Sequence, residues 1–444
     1  METDGFRARI AGEVVEPGHP EYEAARKVWN GVADKRPAMV VRCASVEDVI
    51  TAIRFGRERG LAVAVRGGGH SVAGFSTCDG GMVIDLSRMR EVAVDPARKR
   101  ATAQGGAHLS QLDQAAQAHG LVCPVGVVGH TGVAGLTLGG GMGRLQRKFG
   151  LTVDNLLSVD LVTAEGVALH VSEEENTDLF WGLRGAGANF GVATSFEFQL
   201  HPLEGTIFQG MVAFPIDRSR EVAAAVREFV AIHPDVHVAL AFTKADELEG
   251  RPVFAVGSTH AGGVAQAEHD LRPLREMHPL IDTFDARSYL AVQAMADEVL
   301  GWGQRFYTKA GFLSDLSDGV VDICAGVVET IPPGAELSMW AFGGAVGAVP
   351  DDAMAYTGRH APFNVSAELV WTDPALDESR IAWGRAAIAQ LKPFMTTGQY
   401  VNDVVEAGTD PAQIYGAAKY ERLVDLKRKY DPDNFFRLNQ NVKP

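Results

Sequence analysis

The sequence predicts an α+β protein in which a second domain, built on an antiparallel sheet, follows a mixed first domain. Its 444 residues exceed what one ordinary hydrophobic core holds. Up to about residue 201, short apolar runs alternate with helical stretches and with clusters of glycine. Beyond residue 202 extended runs alternate with helices, as in an antiparallel sheet covered by helices. We expect a first domain over 1–204, a second over 205–395, and a segment over 396–444 that returns to the first.

The composition excludes several classes of protein. Apolar content of 46% and charged content of 22% are typical of a soluble globular chain. The net charge of −15 argues against a nucleic-acid partner and against an anionic membrane surface, because both select for excess Lys and Arg. The sequence has no run of 18 apolar residues, and its start lacks the pattern of a secretory signal.

Cysteine and histidine spacing argues against a metal site or a disulfide framework. The four cysteines lie far apart without CxxC spacing. His119, His130 and His360 have no HxH or HxxxH spacing, so we expect no metal. Reduced thiols and the absence of a signal pattern together favour a cytoplasmic protein.

The first domain is predicted to open with a βαβ unit. A strand over 37–41 is followed by a helix over 45–59, which Ser45 caps, and by a strand over 61–65. Further strands are predicted over 82–86, 101–104 and 192–200, and a helix over 108–119.

The predicted strand 61–65 runs directly into Arg-Gly-Gly-Gly-His-Ser-Val-Ala-Gly, residues 66–74, which we call the first glycine loop. Glycine tolerates positive φ and has no Cβ, so successive N–H groups can close on an anionic or planar ligand. A tight turn with a solvated His70 is the alternative interpretation of this loop by itself.

Residues 126–143, the second glycine segment, contain eight glycines among eighteen positions, and most of the other positions are apolar. This composition predicts backbone wrapped around a buried ligand and not a flexible linker. No Gly-Lys-Ser/Thr ends the segment, so it is not a P-loop. The glycines at 185–191 precede a predicted strand where a dinucleotide fingerprint requires a helix, which excludes a Rossmann domain.

The second domain is predicted to alternate extended runs with helices. The extended runs cover 208–214, 237–243, 253–258, 337–344 and 363–370, and the helices cover 218–232 and 264–278. From about residue 400 the chain is again rich in Tyr, Asn and Arg, which predicts its return to the first domain.

Five stretches in order resemble the flavin-linked oxidases of the vanillyl-alcohol oxidase superfamily, specifically the berberine bridge enzyme-like branch that includes 6-hydroxy-D-nicotine oxidase. The resemblance covers most of the chain. The residues that carry it are 66–71, then 132–143 with 147–151 and Asp154-Asn155, then 181–191, 400–402 and 430–441.

The resemblance implies FAD in a two-part, PCMH-type FAD-binding domain that the C-terminal segment completes, with the second domain as a substrate domain over the isoalloxazine ring. His70 stands where the family attaches the flavin 8α-methyl carbon, a bond that prevents dissociation and makes the flavin a stronger oxidant. The expected cofactor contacts are Arg66, Gly67, Gly68, Gly69, His70, Ser71, Gly74, Asp85, Gly106, His130, Thr131, Gly132, Gly135, Gly139, Gly140, Gly141, Gly143, Asp154, Asn155, Asn189, Gly191, Val192, Asn402, Asn439 and Asn441.

Two of these contacts have a competing structural interpretation. Asp85 either caps a turn, which is the preferred interpretation, or accepts from a ligand hydroxyl. His130 either touches the flavin or has a purely structural role.

Some members of the family add a second bond from a cysteine to the flavin, and the pattern places that position at Val128. Cys123 lies five residues upstream. A chain in extended conformation advances about 3.3 Å per residue, so no rotamer of Cys123 covers that displacement. We expect a single covalent bond, through His70, and an ordinary buried thiol at Cys123.

Catalysis in the family is hydride transfer to the flavin with a base that takes a substrate proton, often from the strand before a tryptophan, here Trp371. Alternation along that strand puts Asn364, Ser366 and Glu368 on one face, which should face the flavin. The usual glutamate position falls on Ser366, a poor base. Glu368 is therefore the first candidate for the base, with a solvated edge-strand carboxylate as its alternative.

Asp403 is the second candidate for the base, directly after a stretch in which Tyr400 and Asn402 are expected to line the flavin or the substrate. The resemblance thus implies an FAD-dependent oxidase of a small alcohol, phenol, amine or sugar, with O2 as electron acceptor. A dehydrogenase that passes electrons to a quinone or a protein, and a flavin-binding protein without turnover, are the alternatives. The sequence does not predict the substrate or the oligomeric state.

Overall fold

The computed structural model describes residues 2–203, 205–406 and 408–444. Its strands, in chain order, are β1 Glu13–Val15, β2 Met39–Arg42, β3 Val63–Arg66, β4 Met82–Asp85, β5 Val92–Asp95, β6 Arg100–Gln104, β7 Leu121–Val122, β8 Leu156–Val162, β9 Ala168–Ser172, β10 Val192–Gln199, β11 His201–Pro202, β12 Thr206–Pro215, β13 His237–Ala245, β14 Arg251–His260, β15 Ile281–Asp282, β16 Asp285–Ser288, β17 Arg305–Leu313, β18 Ala335–Ala341 and β19 Phe363–Trp371.

The helices complete a mixed α+β architecture, as the sequence predicts. They are α1 Glu2–Arg7, α2 Tyr22–Ala25, α3 Val46–Glu58, α4 Leu109–Gln117, α5 Val133–Leu138, α6 Gln146–Phe149, α7 Thr177–Ala186, α8 Ser219–Ile232, α9 Val264–Arg275, α10 Tyr289–Gln293, α11 Asp318–Val328, α12 Gly344–Ala348, α13 Asp377–Leu391, α14 Pro411–Tyr415 and α15 Ala417–Tyr430.

The first sheet has the strand order β1-β2-β4-β3, with β2, β4 and β3 parallel. The predicted βαβ unit is present, but β2 and β3 flank β4 and do not pair with each other. Ser45 caps α3 as predicted, because its Oγ accepts a hydrogen bond from the Asp48 N–H at 3.2 Å. Since β3 ends at Arg66, this sheet places the first glycine loop at its edge.

The second sheet is antiparallel, in the order β5-β6-β10-β8-β9. The second glycine segment lies between β7 and β8, and it includes the short helix α5. The loops at the ends of these two sheets therefore bring both glycine-rich stretches to one place.

The large sheet of the second domain has eight strands in the order β15-β12-β14-β13-β18-β19-β17, with β16 beside β12. Its strand pairs are all antiparallel, as predicted. Buried aromatic and aliphatic side chains of one face pack on helices α8, α9, α11 and α13. In β19 the opposite face carries the alternate residues, among them Asn364, Ser366 and Glu368.

Two predicted elements end earlier than the sequence suggests. The strand predicted to reach residue 344 stops at Ala341, because Gly343 and Gly344 have φ of +89° and +51°, which breaks the extended chain. The helix predicted over 264–278 stops at Arg275.

The C-terminal segment returns to the first domain, as predicted. Leu423 and Leu426 of α15 belong to the same buried core as Trp181 of α7. The Lys427 Nζ donates to the Asn189 carbonyl oxygen at 2.7 Å, and the Val442 N–H donates to Asn189 Oδ1 at 2.9 Å. The proposed domain limits stay predictions, and Glu204, the last residue of the predicted first domain, lies outside the described residues.

Candidate active site

A cavity of about 410 Å³ lies between the two glycine-rich stretches, the large sheet and the C-terminal segment. Small-molecule and cofactor sites have volumes of roughly 300–1,000 Å³. The predicted residues in its wall are Gly67, Gly68, Gly69, His70, Ser71, Thr131, Gly132, Gly135, Gly139, Asn189, Gly191, Ser366, Glu368, Tyr400, Asn402, Asp403 and Asn439.

The first glycine loop and the second glycine segment touch through their backbones. A Cβ on Gly68 would lie 2.2 Å from the backbone nitrogen of Gly132, and a Cβ on Gly132 would lie 2.2 Å from that of Gly68. Both distances are far inside van der Waals contact, so only glycine at both positions permits the approach. The two stretches therefore form one continuous surface of bare backbone.

The first glycine loop brings unpaired backbone donors to the cavity wall. Residues 67–73 all line it, and no backbone acceptor among the described residues pairs with their N–H groups. Gly69 has φ of +71°, in the left-handed region that glycine enters without steric cost. Successive free N–H groups of this kind form a concave donor site for an anion or for ring carbonyl oxygens.

The second glycine segment presents a helix with an open face. Gly135 lies in α5 and lines the cavity, and a Cβ built on it would meet no atom within 4 Å. Glycine in a helix costs about 0.5–1 kcal/mol relative to alanine. The space that this glycine leaves is therefore room for a ligand. At the end of α5, Gly139 touches the Asn402 amide, which lies 2.1 Å from where a Cβ would be.

His70 lies at the cavity wall among aromatic and polar side chains. Its ring stacks on Trp29 with 4.5 Å between centroids, and its Nε2 shares a hydrogen bond of 2.6 Å with Nδ1 of His130. Nδ1 of His70 lies 3.3 Å from the Thr131 Oγ1. Burial, with the nearby His130, lowers the pKa of His70 to about 2, so the imidazole stays neutral and keeps a nitrogen lone pair.

Five of the predicted glycine contacts lie outside the cavity wall. They serve close packing of the protein on itself, since added Cβ atoms would collide with protein atoms. The collisions are with Ala33 for Gly74, Leu86 O for Gly106, Tyr356 for Gly140, Thr152 for Gly141, and Val125 O for Gly143.

Two charged residues predicted to contact the cofactor pair with each other. The Arg66 Nη2 donates to Asp85 Oδ2 at 2.9 Å, and its guanidinium also donates to the carbonyl oxygens of Ala25 and Lys27. Asp85 Oδ1 accepts from the Ser87 N–H at 3.0 Å, which is the turn cap that the sequence favours. Both side chains hold β3 and β4 in place and do not reach the cavity.

The Asp154-Asn155 pair fixes the approach to β8. Both carboxylate oxygens of Asp154 accept from the buried Arg359 guanidinium. The Asn155 amide donates to two carbonyl oxygens of the preceding turn, at 2.9 Å each, and its Oδ1 meets His201. Neither residue lines the cavity, and these contacts are all within the protein.

Three further predicted contacts are not among the residues that line the cavity. His130 meets His70 and not the cavity. Val192 starts β10 and packs in an apolar core. Asn441 is outside the wall, whereas Asn439 and Gln440 line it.

The C-terminal segment contributes polar atoms without protein partners. The Asn439 Nδ2 donates to the Ala188 carbonyl oxygen at 2.7 Å, but its buried Oδ1 has no partner within the described part of the chain. Because a buried carbonyl oxygen without a partner is costly, this atom is suited to a ligand that donates a hydrogen bond.

Three side chains of β19, Asn364, Ser366 and Glu368, face the cavity as alternation predicts; we call them the polar strand wall. The Ser366 Oγ donates to Glu368 Oε1 at 2.7 Å. Burial raises the pKa of Glu368 above its ordinary value. Glu368 is therefore not a solvated edge-strand carboxylate, and Ser366 orients it.

Asp403 lies beside the polar strand wall, in a single helical turn over Val401–Asp403. The Asn364 amide nitrogen lies 3.4 Å from Asp403 Oδ2. Burial, together with the charge of Glu368, raises the pKa of Asp403 to about 7. The two candidate bases thus influence each other's ionisation.

Tyr400 anchors the C-terminal segment to the second glycine segment. Its hydroxyl oxygen accepts from the Met142 N–H at 3.2 Å and from the Asn402 amide at 2.9 Å. Burial raises the pKa of Tyr400 to about 12, so the phenol stays protonated.

The sequence prediction missed several wall residues from distant segments. Trp29, Phe306, Thr308 and Trp340 line the cavity, and Glu336 stands opposite Glu368 in the register of β18 and β19. Alternation within β17 and β18 marks their faces, but only the strand pairing brings these residues next to β19.

The residues present fit FAD. The free N–H groups of the first glycine loop match an anionic pyrophosphate or ring carbonyls, the open face at Gly135 leaves room, and Asn439 Oδ1 offers an acceptor to a hydroxyl or amino group. Among the described residues, no group of three or more His, Cys, Asp or Glu side chains is placed to bind a metal. No helix in the described ranges has the length and apolar character to cross a bilayer.

Two family models match the chain at the two ends of this site. A model described as FAD binding domain matches residues 37–172, which include both glycine-rich stretches. A model described as berberine and berberine like matches residues 400–443, the C-terminal segment.

Similar proteins match over nearly the whole length. A FAD-linked oxidoreductase from Dictyostelium discoideum is 32% identical over 444 residues, which cover 99% of this chain and 96% of the relative. The (R)-6-hydroxynicotine oxidase of Paenarthrobacter nicotinovorans is 32% identical, with 98% and 97% covered. The crystal structure of 6-hydroxy-D-nicotine oxidase from Arthrobacter nicotinovorans superposes with a TM-score of 0.90 at 30% identity, and 98% of each chain is covered.

Proposed function

Because this chain belongs to the berberine bridge enzyme-like family of FAD-linked oxidoreductases, we propose that it is an oxidase that transfers a hydride from a small organic substrate to FAD and then electrons to O2. The family resemblance of the sequence is confirmed, and the chain is an oxidoreductase that uses FAD. The covalent link, the base, the substrate and the acceptor are the proposed parts.

The two glycine-rich stretches would hold the cofactor through backbone. The N–H groups of 67–73 supply donors, and α5 supplies an open face at Gly135. Asn189, Asn439 and Gln440 complete the wall from the C-terminal side. FAD supplies the hydride-accepting chemistry when bound, and the protein positions it and excludes water.

We propose one covalent link, through His70. A neutral imidazole could bond to the flavin 8α-methyl carbon through its lone pair, and burial keeps this ring neutral. The methyl carbon would lose one hydrogen and the imidazole its N–H proton, and the two electrons released would pass through the flavin to O2, giving hydrogen peroxide. Val128, at the position where some family members carry a cysteine, lines the cavity, whereas Cys123 is fully buried elsewhere. Burial raises the pKa of the Cys123 thiol well above its ordinary value, so it has little of the thiolate needed to react.

Glu368 is the proposed base. It lies in the cavity wall, Ser366 holds it by a hydrogen bond of 2.7 Å, and its raised pKa brings its ionisation nearer to neutral pH, where a general base works best. Asp403 is the second candidate on the same grounds. Tyr400 and Asn402 hold the second glycine segment against this end of the cavity.

The observation that carries this proposal is that one cavity joins the free donors of the first glycine loop and His70 to the polar strand wall. A dehydrogenase of the same fold would use the same residues and differ only in its electron acceptor. A flavin-binding protein without turnover would not need a buried carboxylate in the wall. The cytoplasm remains the proposed compartment, and the four free thiols agree with it.

The testing experiment is acid precipitation of the purified yellow protein, of His70→Ala, and of a matched control, His119→Ala, whose side chain is exposed outside the cavity. We expect flavin in the pellet of the parent and the control and in the supernatant of His70→Ala. Release from the parent would reject the covalent link, and retention in His70→Ala would indicate a second attachment.

Turnover is tested on the same protein with a panel of alcohols, phenols, amines and sugars. We expect at least one substrate to bleach the flavin without oxygen and to form hydrogen peroxide with it. Bleaching without peroxide would favour the dehydrogenase, and no bleaching by any compound would favour the silent flavin-binding protein.

A further inference from the structure

The end of the cavity at the polar strand wall has an excess of hydrogen-bond acceptors. Glu368 and Asp403 both line it. Glu336 stands directly opposite Glu368 in the pairing of β18 with β19. Directly opposed residues of neighbouring strands have Cβ atoms about 4.5–5.5 Å apart, so Glu336 lies next to Glu368 although it does not itself line the cavity.

Two buried polar atoms beside these carboxyl groups have no partner. Thr308 stands opposite Glu368 in β17, and Asn364 lies on the same face of β19. Their side chains are 2% and 5% exposed and line the cavity, but Thr308 Oγ1 and Asn364 Oδ1 have no hydrogen-bond partner among the described residues. An amide oxygen only accepts, so Asn364 requires a donor that the protein does not provide.

No positive side chain within the described residues balances this end of the cavity. The wall contains no Lys or Arg. Lys309, the neighbour of Thr308 in β17, pairs with Glu406, and Arg359 pairs with Asp154. The titratable groups that face Glu368 are therefore Glu336 from β18 and Asp403 from the C-terminal segment, and β17 contributes only the uncharged Thr308.

We propose that the substrate binds as a cation, namely an organic amine whose ammonium group donates to Glu368 and to Asn364 Oδ1, with Glu336 and Asp403 adding negative charge. Trp340 and Phe306 line the same cavity and suit the apolar body of such a molecule. A neutral alcohol or sugar would leave the carboxyl groups uncompensated. This inference rests on the proposed function, because it names the substrate class of the same site.

The free site should hold protons that a cation displaces. Burial and the neighbouring carboxylate raise the pKa of Glu336 to about 7, and Asp403 behaves in the same way. An ammonium ion favours the ionised carboxylates, so its binding releases protons to solvent near neutral pH. A neutral ligand of the same shape has no such effect.

The experiment compares N-methylbenzylamine with its neutral isostere, benzyl methyl ether, by calorimetric titration of the flavin-loaded protein without oxygen. A hydrogen bond to a charged group contributes about 1.5–3 kcal/mol, so we expect the amine to bind at least about tenfold more tightly. Repeating the titration at pH 7 in buffers of different ionisation enthalpy should show proton release for the amine alone.

Substitutions identify the carboxyl groups that cause the preference for the amine. Glu368→Gln and Glu336→Gln should each reduce the preference for the amine severalfold and lower the proton release, whereas Glu329→Gln, at an exposed position of the same domain, should change neither. Flavin content and melting temperature check that each variant is folded. The preference of the parent does not depend on any variant.

Equal binding of the two ligands, no detectable binding of the amine, or a preference that survives Glu368→Gln would each overturn the inference. None of these results bears on whether His70 holds flavin or on whether another substrate bleaches it. Failure of the inference and failure of the proposed function are therefore distinguishable.

Discussion

The two halves of the cavity are built from different parts of the polypeptide. The cofactor half uses backbone, because at Gly68 and Gly132 any side chain would collide. The substrate half uses side chains that β17, β18, β19 and the C-terminal segment bring together. The first half depends on glycines that lack side chains, and the second depends on side chains that carry hydrogen-bond acceptors.

This difference explains how each half tolerates substitution. A backbone surface fails when a Cβ is added where two backbones approach closely, whatever the chemistry of the side chain. A side-chain surface keeps its shape under a conservative substitution and changes only its charge or its proton affinity. Four predictions test this contrast.

Gly68→Ala should have the largest effect, because its Cβ would lie 2.2 Å from the Gly132 nitrogen. Separating the two glycine-rich stretches should cost about 3 kcal/mol or more, near the upper end of overpacking effects. We expect most of the flavin to be lost, as measured by absorbance per protein. Gly326→Ala, on an exposed position of α11 with no atom within 4 Å of the added Cβ, is the control and should keep its flavin. A yellow Gly68→Ala protein would contradict the backbone contact.

The Glu368→Gln protein should keep its bound flavin but lose most of its rate of substrate oxidation. A positioned base contributes typically about 10²–10⁴-fold, so the rate of flavin reduction without oxygen should fall by that order. In Ser366→Ala the rate of flavin reduction should fall less, because this substitution removes only the hydrogen bond that orients Glu368. Reduction of Glu368→Gln at the rate of the parent would move the role of base to Asp403.

Asp403→Asn should shift a pH profile. A carboxyl base acts only when ionised, so kcat/KM should rise with pH through the raised pKa of Glu368. Removing the negative neighbour lets Glu368 ionise at lower pH, so the rising part of the kcat/KM profile should move to lower pH. An unchanged pH dependence of kcat/KM would show that the two carboxyl groups do not interact.

Cys123→Ala should have the smallest effect. The thiol is fully buried away from the cavity wall, so its loss should cost about 1 kcal/mol of unfolding free energy and leave flavin attachment unchanged. Acid precipitation followed by absorbance of the pellet measures the attachment. A loss of bound flavin would place Cys123 in the cofactor site.

The contrast also explains which parts of the site the sequence predicts. Backbone surfaces leave dense local patterns, so the wall residues of the first glycine loop follow from the sequence. The same patterns predict too many contacts, because Gly106 and Gly143 are glycine for contacts with protein backbone and not with a ligand. The polar strand wall follows from alternation within one strand. Glu336 does not, because its place beside Glu368 depends on the pairing of two strands.

Charged residues show what else the sequence does not specify. Arg66 and Asp154 stand within the family patterns, yet each has a buried partner of opposite charge, Asp85 and Arg359. A sequence gives the charge of such a residue but not the partner that neutralises it.

The return of the C-terminal segment to Asn189 also bears on how the protein is made. The Val442 N–H donates a hydrogen bond to Asn189. Val442 is synthesised after the first glycine loop and several hundred further residues. At about 5–20 residues per second, the delay is of the order of tens of seconds. Throughout that interval the nascent chain has an incomplete wall around its cofactor cavity. We therefore expect the cavity to be complete, and able to hold a flavin, only after this segment has been translated.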